Sequence, residues 1–299
     1  MKYIAAIGTF AIMAALIGGS SAKIDQYRGW GDSNLTFNEQ MKVAGDKNYY
    51  DINLLQNKPD KKGNQKTYIT LSAPSQMWNF GRAPTEFLTL KVNGIPLNKI
   101  QPVPGSVKSW TAGDTAGAEF TLNFDGAKII VNMFMKTGSP LLFLTFTQPE
   151  KQIVPIKGNF TIDFNLVISR HIVNEKKVTV WNGVYARQAQ TETRLIKQQD
   201  APVTLTAADK YLIFSDEKLD GTGKGNEKGV GPCLLVFEMK DGVTGKLFIK
   251  NTYQTKLTFQ VPGTFKEFRC AILQNKSVVS NTEFMKRFLA DKNIYTNLK

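Results

Sequence analysis

An all-β chain, folded as one large antiparallel β-sandwich, is what this sequence predicts, and three observations carry the prediction. A long series of segments alternates apolar and polar residues with a period of two, which puts one face of a strand on a core and the other toward water. Turn dipeptides of the hairpin type, Asn93-Gly94, Asp125-Gly126 and Asp241-Gly242, punctuate that series. Helical spacing is missing from the connections between strands and shows only in the tail, which excludes a parallel βαβ architecture.

Taken in order, Met1 to Ala22 reads as an export signal. Lys2 supplies a positive start, Tyr3 to Ile17 is an uncharged, almost wholly apolar run, and Ser20-Ser21-Ala22 offers small residues for cleavage after Ala22. The run is shorter than the ~20 residues a membrane-spanning helix needs, no cysteine follows it for a lipid anchor, and no later stretch is apolar enough to span. The expectation is a soluble exported protein, periplasmic or extracellular, with residues 23–299 as one domain. Lys23 to Asn57 is irregular, with short strands at Leu35 to Phe37 and Tyr50 to Leu55. Thr67 to Ser72 is a better strand. Trp78, Phe80 and Arg82 follow in a Pro- and Gly-bounded segment, and Phe87 to Val92 turns at Asn93-Gly94. Ser109 to Gly117, carrying Trp110 and Asp114, reads as a loop.

The clearest architecture is the meander from Glu119 to Thr147. Phe120, Leu122 and Phe124 alternate with polar residues, Asp125-Gly126 reverses the chain, Lys128 to Met135 returns, and Leu142, Leu144 and Phe146 form a third strand. Phe160 to Leu166, Val178 to Trp181, Val203 to Thr206 and Tyr211 to Phe214 continue the rhythm. Cys233 to Met239 is apolar enough for burial on both faces, and Asp241-Gly242 is expected to turn it back into a hairpin. Lys246 to Lys250, Leu257 to Val261 and Phe265 to Leu273 are the last strands. A helix over about 282–292 ends the chain, capped by Thr282, with Phe284, Met285, Phe288 and Leu289 on its apolar face.

The chain has 38 Lys and Arg against 25 Asp and Glu. Lys2 lies in the leader, so 37 basic and 25 acidic residues leave +12 on the exported part. Such a charge favours anionic partners such as acidic glycans or envelope polymers. Nucleic acid is not expected: no recognition helix, zinc-ligand spacing or aromatic-basic RNA motif accompanies the charge. The densest basic run, Lys58 to Lys66, reads as a solvated loop. No cofactor and no metal is expected. Gly221 to Gly229 lacks the Walker spacing, and the lysines beside Asp216, Glu217, Asp220 and Glu227 oppose calcium.

The strands from about Thr67 to Leu273, with GAEFTLNFDGAKIIVNMFMKTGSPLLFLTFT at their centre, resemble the β-supersandwich of galactose-mutarotase-like proteins and the sandwich domains of some polysaccharide-processing enzymes. The resemblance is one of architecture, and it implies a carbohydrate ligand or substrate. Mutarotase chemistry uses two histidines and a carboxylate, whereas His171 is the single histidine here, so sugar mutarotation by that route is not expected.

Two readings follow from the residues, with a structural or assembly role as a third. In the first, a non-catalytic exported or envelope-associated protein binds carbohydrate through Trp110, Trp181, Trp78, Arg82 and Arg170, since tryptophan beside arginine suits ring stacking with polar pairing. In the second, a polysaccharide lyase, glycoside hydrolase or epimerase uses His171, Tyr185 and Arg187. Arg would neutralise a uronate while His or Tyr moves protons, and Tyr185 and Arg187 share strand parity. No catalytic spacing ties these groups together, so binding is the reading preferred. Cys233 and Cys270 fall on neighbouring apolar strands, where a disulfide and two buried thiols are both open.

Overall fold

The computed structural model describes residues 23–27, 35–44, 49–72, 86–102, 105–166, 169–173, 179–215, 233–240, 242–251, 254–273 and 281–298. Residues 1–22, Trp30, Trp78, Arg82 and the Gly- and Lys-rich stretch 216–231 lie outside them. Strands β1 (Lys23–Tyr27), β2 (Leu35–Ala44), β3 (Tyr49–Asn57) and β4 (Thr67–Ser72) pair in succession, so the irregularity expected before Asn57 is replaced by three strands. In β2, Leu35, Phe37, Met41 and Val43 keep the two-residue period and Glu39 interrupts it. Strands β5 (Leu88–Val92) and β6 (Ile95–Pro96) make a hairpin through Asn93 and Gly94, at φ 50° and 84°. Those two positive angles are what a type I′ turn requires. A 3-10 turn at Leu97–Lys99 follows.

The meander comprises β7 (Val107–Ala112), β8 (Thr115–Phe124), β9 (Ala127–Lys136) and β10 (Leu142–Thr147). It is one strand longer than expected, because the supposed loop around Trp110 is β7. Beyond it come β11 (Asn159–Leu166), β12 (Ser169–Val173), β13 (Thr179–Tyr185), β14 (Gln188–Gln190), β15 (Leu195–Lys197), β16 (Val203–Leu205) and β17 (Tyr211–Ser215). The chain ends with β18 (Cys233–Phe237), β19 (Thr244–Asn251), β20 (Gln254–Pro262), β21 (Glu267–Leu273), α1 (Asn281–Ala290) and α2 (Lys292–Thr296).

These strands make two large antiparallel sheets. The first runs β1-β2-β3-β4-β5-β11-β20-β19-β16, with β6 beside β5, and the second runs β15-β14-β17-β18-β21-β10-β9-β8-β7. A separate ribbon pairs β12 with β13. Apolar side chains from both sheets form one core. Phe259 of β20 meets Phe237 of β18 at 5.2 Å and Phe268 of β21 at 4.9 Å between ring centroids. Of the Asp241-Gly242 pair, Asp241 lies outside the described residues and Gly242 has φ 80°, but the link there joins no hairpin. It carries the chain from β18 in the second sheet to β19 in the first.

The outer face of β10, β21, β18 and β17 is covered by the C-terminal helices. Phe284 and Phe288 pack there, Phe288 lying 5.0 Å from the Tyr211 ring and 5.8 Å from Tyr295. This cover explains why β18 is buried on both faces. Helix α1 starts at Asn281, so Thr282 is its second residue and not its cap. Leu289, expected on the apolar face, is 65 % exposed, because the buried stripe centres on Phe284 and Phe288, and Leu289 lies about 100° round the helix from Phe288.

Cys233 and Cys270 are both buried and no disulfide joins them. Cys270 pairs with Phe237, which puts Cys233 four residues along the neighbouring strand. At a strand rise of ~3.4 Å per residue that is about 14 Å, twice the reach of a disulfide. Of the two alternatives, the pair of buried thiols is the one found. Burial pushes the Cys270 thiol well above its usual range, which makes it a poor nucleophile in the folded chain.

Candidate functional site

Strand register builds a platform on the outward face of the second sheet. Trp110 lies opposite Gly117, Gly117 opposite Phe134, and Phe134 opposite Phe143. Gly117 is the residue that lets this row close. A Cβ there would run into Phe134 Cβ and sit 2.7 Å from the Met133 carbonyl oxygen. Without one, the Trp110 and Phe134 rings approach to 5.8 Å, and Phe134 stacks on Phe143 at 5.2 Å with an interplanar angle of 12°. Trp110 and Phe134 stay half-buried, while Phe143 disappears under the helices. The Lys136 ammonium lies 5.1 Å from the Phe143 ring centroid, a cation–π distance.

The next register row is polar: Lys108, Glu119, Asn132, Thr145 and Arg269 follow one another across β7, β8, β9, β10 and β21. Together the two rows floor an open cleft of about 610 Å³, with Leu298 of the C-terminal tail on its wall. Arg269 donates two hydrogen bonds to Glu267, from Nε at 2.5 Å and from a terminal nitrogen at 2.7 Å. That fork holds both side chains at the cleft margin and raises the guanidinium pKa further above its ordinary value. Glu119 stands three strand spacings from β21, which carries Glu267, about 14 Å at ~4.8 Å per spacing. The cleft therefore sets an apolar floor beside a polar rim.

The other expected site residues are dispersed. His171 pairs with Trp181 and Ser169 with Tyr185 in the β12–β13 ribbon, whose register is irregular between Ser169 and His171, where Arg170 lies. The ribbon therefore brings His171, Arg170, Trp181 and Tyr185 onto two adjacent strands. Arg187 does not share their parity, because β13 ends at Tyr185 and Arg187 lies in the exposed link to β14. Its amide donates to the Ser215 carbonyl and its own carbonyl accepts from Gln198. From β14 to β7 is seven strand spacings, about 34 Å, so Arg187 and Trp110 do not share a site. Sequence reasoning found Trp110 but missed Gly117, Phe134, Asn132 and Arg269. Only cross-strand register links those residues to it.

Among the described residues, no group of three or more His, Cys, Asp or Glu is placed to hold a metal ion. No helix among them is long and apolar enough to cross a membrane.

No family model and no curated protein matches this sequence. Among solved structures, the chain is similar to an alpha-N-acetylgalactosaminidase from Bifidobacterium bifidum in complex with GalNAc, with a TM-score of 0.44 and 10 % identity over 80 % of this chain. An alpha-galactosidase from Lactobacillus brevis gives a TM-score of 0.39 and 8 % identity over 83 %. The galactosidase domain of an alpha-galactosidase–sucrose kinase gives 0.40 and 8 % over 80 %. The chain spans about two fifths of the length of these proteins, 38, 40 and 41 % respectively. Overlaps of this extent transfer no residue correspondence into the cleft.

Proposed function

We propose that this is an exported, non-catalytic carbohydrate-binding protein, periplasmic or extracellular, that holds a glycan chain on the Trp110 platform. Residues 1–22 direct its export, and residues 23–299 form one sandwich of the galactose-mutarotase-like kind. The observation that carries this reading is the half-buried Trp110–Phe134 surface bordered by Lys108, Glu119, Asn132 and Thr145. A sugar ring presents an apolar C–H face to such a platform and hydroxyls to its polar border. The net basic charge favours acidic glycans.

Trp110→Ala is expected to weaken glycan binding about tenfold or more, the 1.4 kcal/mol expected of a modest hot spot. Titration calorimetry at fixed salt reads this, and an unchanged thermal melt shows that the fold survives. Trp110→Phe should restore part of the affinity. Binding that Trp110→Ala leaves intact would remove the platform from the account.

A second reading rests on the ribbon, where backbone pairing sets His171 against Trp181 with Tyr185 on the same strand as Trp181. Lyase turnover of a uronate polymer, seen as ultraviolet absorbance from an unsaturated sugar and abolished by His171→Ala, would replace the binding reading. If no glycan binds and none is cleaved, a structural or assembly role is the better account.

A further inference from the structure

The Trp110 cleft does not end at the Arg269–Glu267 fork. Those two side chains also line a second open depression of about 440 Å³, whose other walls include Glu238, Lys240, Thr264 and Lys266. Strand register makes the two spaces continuous. Phe237 of β18 pairs with Cys270 of β21, and the Glu238 amide donates to the Arg269 carbonyl at 3.4 Å, so Glu238 takes the next place beyond Arg269 in the polar row. The row then reads Glu238, Arg269, Thr145, Asn132, Glu119 and Lys108 across six adjacent strands, from β18 to the sheet edge at β7. Five strand spacings at ~4.8 Å make it about 24 Å long.

The far half of this row is held as firmly as the near half. Arg269 is forked to Glu267, and the Lys240 ammonium lies 2.8 Å from a Glu238 carboxylate oxygen. About a third of each of the Glu238, Glu267 and Arg269 side chains nevertheless reaches water. Each ion pair therefore sets fixed donors beside fixed acceptors, a combination that suits hydroxyl groups, which both donate and accept. One outward polar group per strand also repeats at the strand spacing, which is close to the length of one pyranose in an extended chain.

We infer that the two depressions form one groove for a linear polysaccharide segment of several consecutive sugars, laid across the strands. One unit stacks on Trp110 and Phe134, and the chain runs past the Arg269–Glu267 fork to Lys240 and Lys266. Strand β7 is the last of its sheet, so the chain leaves the groove freely beyond Trp110. The inference rests on the glycan reading of the Trp110 platform and adds the extent and direction of its ligand: a run of sugars, not a single one.

The test is titration calorimetry of the full-length protein with oligogalacturonides from dimer to octamer, a linear acidic series, at physiological salt, where exposed charges are screened beyond ~8 Å. The octamer is expected to bind about a hundredfold more tightly than the dimer. A site that holds only a dimer would gain about sevenfold at most, from the seven frames an octamer offers it. Lys240→Ala with Lys266→Ala, at the far end, should lower octamer affinity at least fivefold and leave dimer affinity unchanged, while Trp110→Ala lowers both by a similar factor. Lys246→Ala with Lys250→Ala, an equal loss of charge at exposed positions of the other sheet, should change neither. A gain from dimer to octamer within the statistical limit, or equal losses in the two lysine pairs, would overturn the long groove. A flat length profile that stays sensitive to Trp110→Ala removes only this inference, whereas Trp110→Ala without effect at any length removes the platform as well.

Discussion

Phe259→Ala is expected to lower the unfolding free energy by about 3–5 kcal/mol, as for other buried aromatic truncations. Phe259 is fully buried and its ring has neighbours in both layers: Phe164 at 6.2 Å in its own sheet, with Phe237 and Phe268 in the facing one. Truncation removes the transfer free energy of the ring and leaves a cavity lined by three other rings, which cannot collapse without moving two sheets. Urea denaturation should show the midpoint falling with little change in slope. A loss below about 1 kcal/mol would mean that the layers repack around the gap.

Asp209→Ala is the second large effect, about 2–4 kcal/mol. The Asp209 side chain is wholly inaccessible and accepts from Arg194 Nε at 3.2 Å, from an Arg194 terminal nitrogen at 2.6 Å and from the Thr206 amide at 2.8 Å. Arg194 also donates to the Thr204 carbonyl at 2.7 Å, so a single guanidinium ties the β14–β15 turn to the β16–β17 region. Removing one partner of a buried pair costs ~3–5 kcal/mol. The figure here is lower because Arg194 keeps 38 % of its side chain in water.

Burial opposes ionisation of Asp209. The bonds from Arg194, the Thr206 amide and Thr191 outweigh it and hold the carboxyl below its usual range. With the folded pKa below the unfolded one, this stabilisation is complete above the unfolded value of about 3.9 and drains away as pH falls through the folded value. Asp209→Asn should therefore be less stable than wild type near neutrality and lose less stability on acidification. Parallel acid titrations of the two proteins would refute the assignment.

The sequence displayed what is local. Asp125-Gly126 adopts φ 52° and 89°, Asn93-Gly94 behaves likewise, and the Phe120 to Phe146 alternation maps onto β8, β9 and β10. What it hid is set between distant strands. Asp241-Gly242 has the same composition as the true hairpin turns, but a turn dipeptide does not specify the sheet that receives the next strand. Strand β7 buries only Val107 well, since its edge position faces water on most of its length, so no apolar alternation announces it. The Trp110 platform depends on Gly117 being without a side chain and on Phe134 standing opposite it.

The pairing order also bears on how this chain comes to be folded. Strand β10 has β9 on one side and β21 on the other, while β11 lies between β5 and β20. Each sheet is thus closed at its middle by residues 254–273, close to the last segment of the sequence. During synthesis the meander can assemble early, but its inner edge and that of β11 present open backbone donors and acceptors until β20 and β21 emerge. Non-local closure of this kind is slow, and open edges invite pairing with other copies. Refolding from denaturant should therefore be slow and lose yield as protein concentration rises, and chains truncated before residue 254 should aggregate even though they retain the whole meander. Soluble, monomeric truncations would show that the early strands protect their own edges.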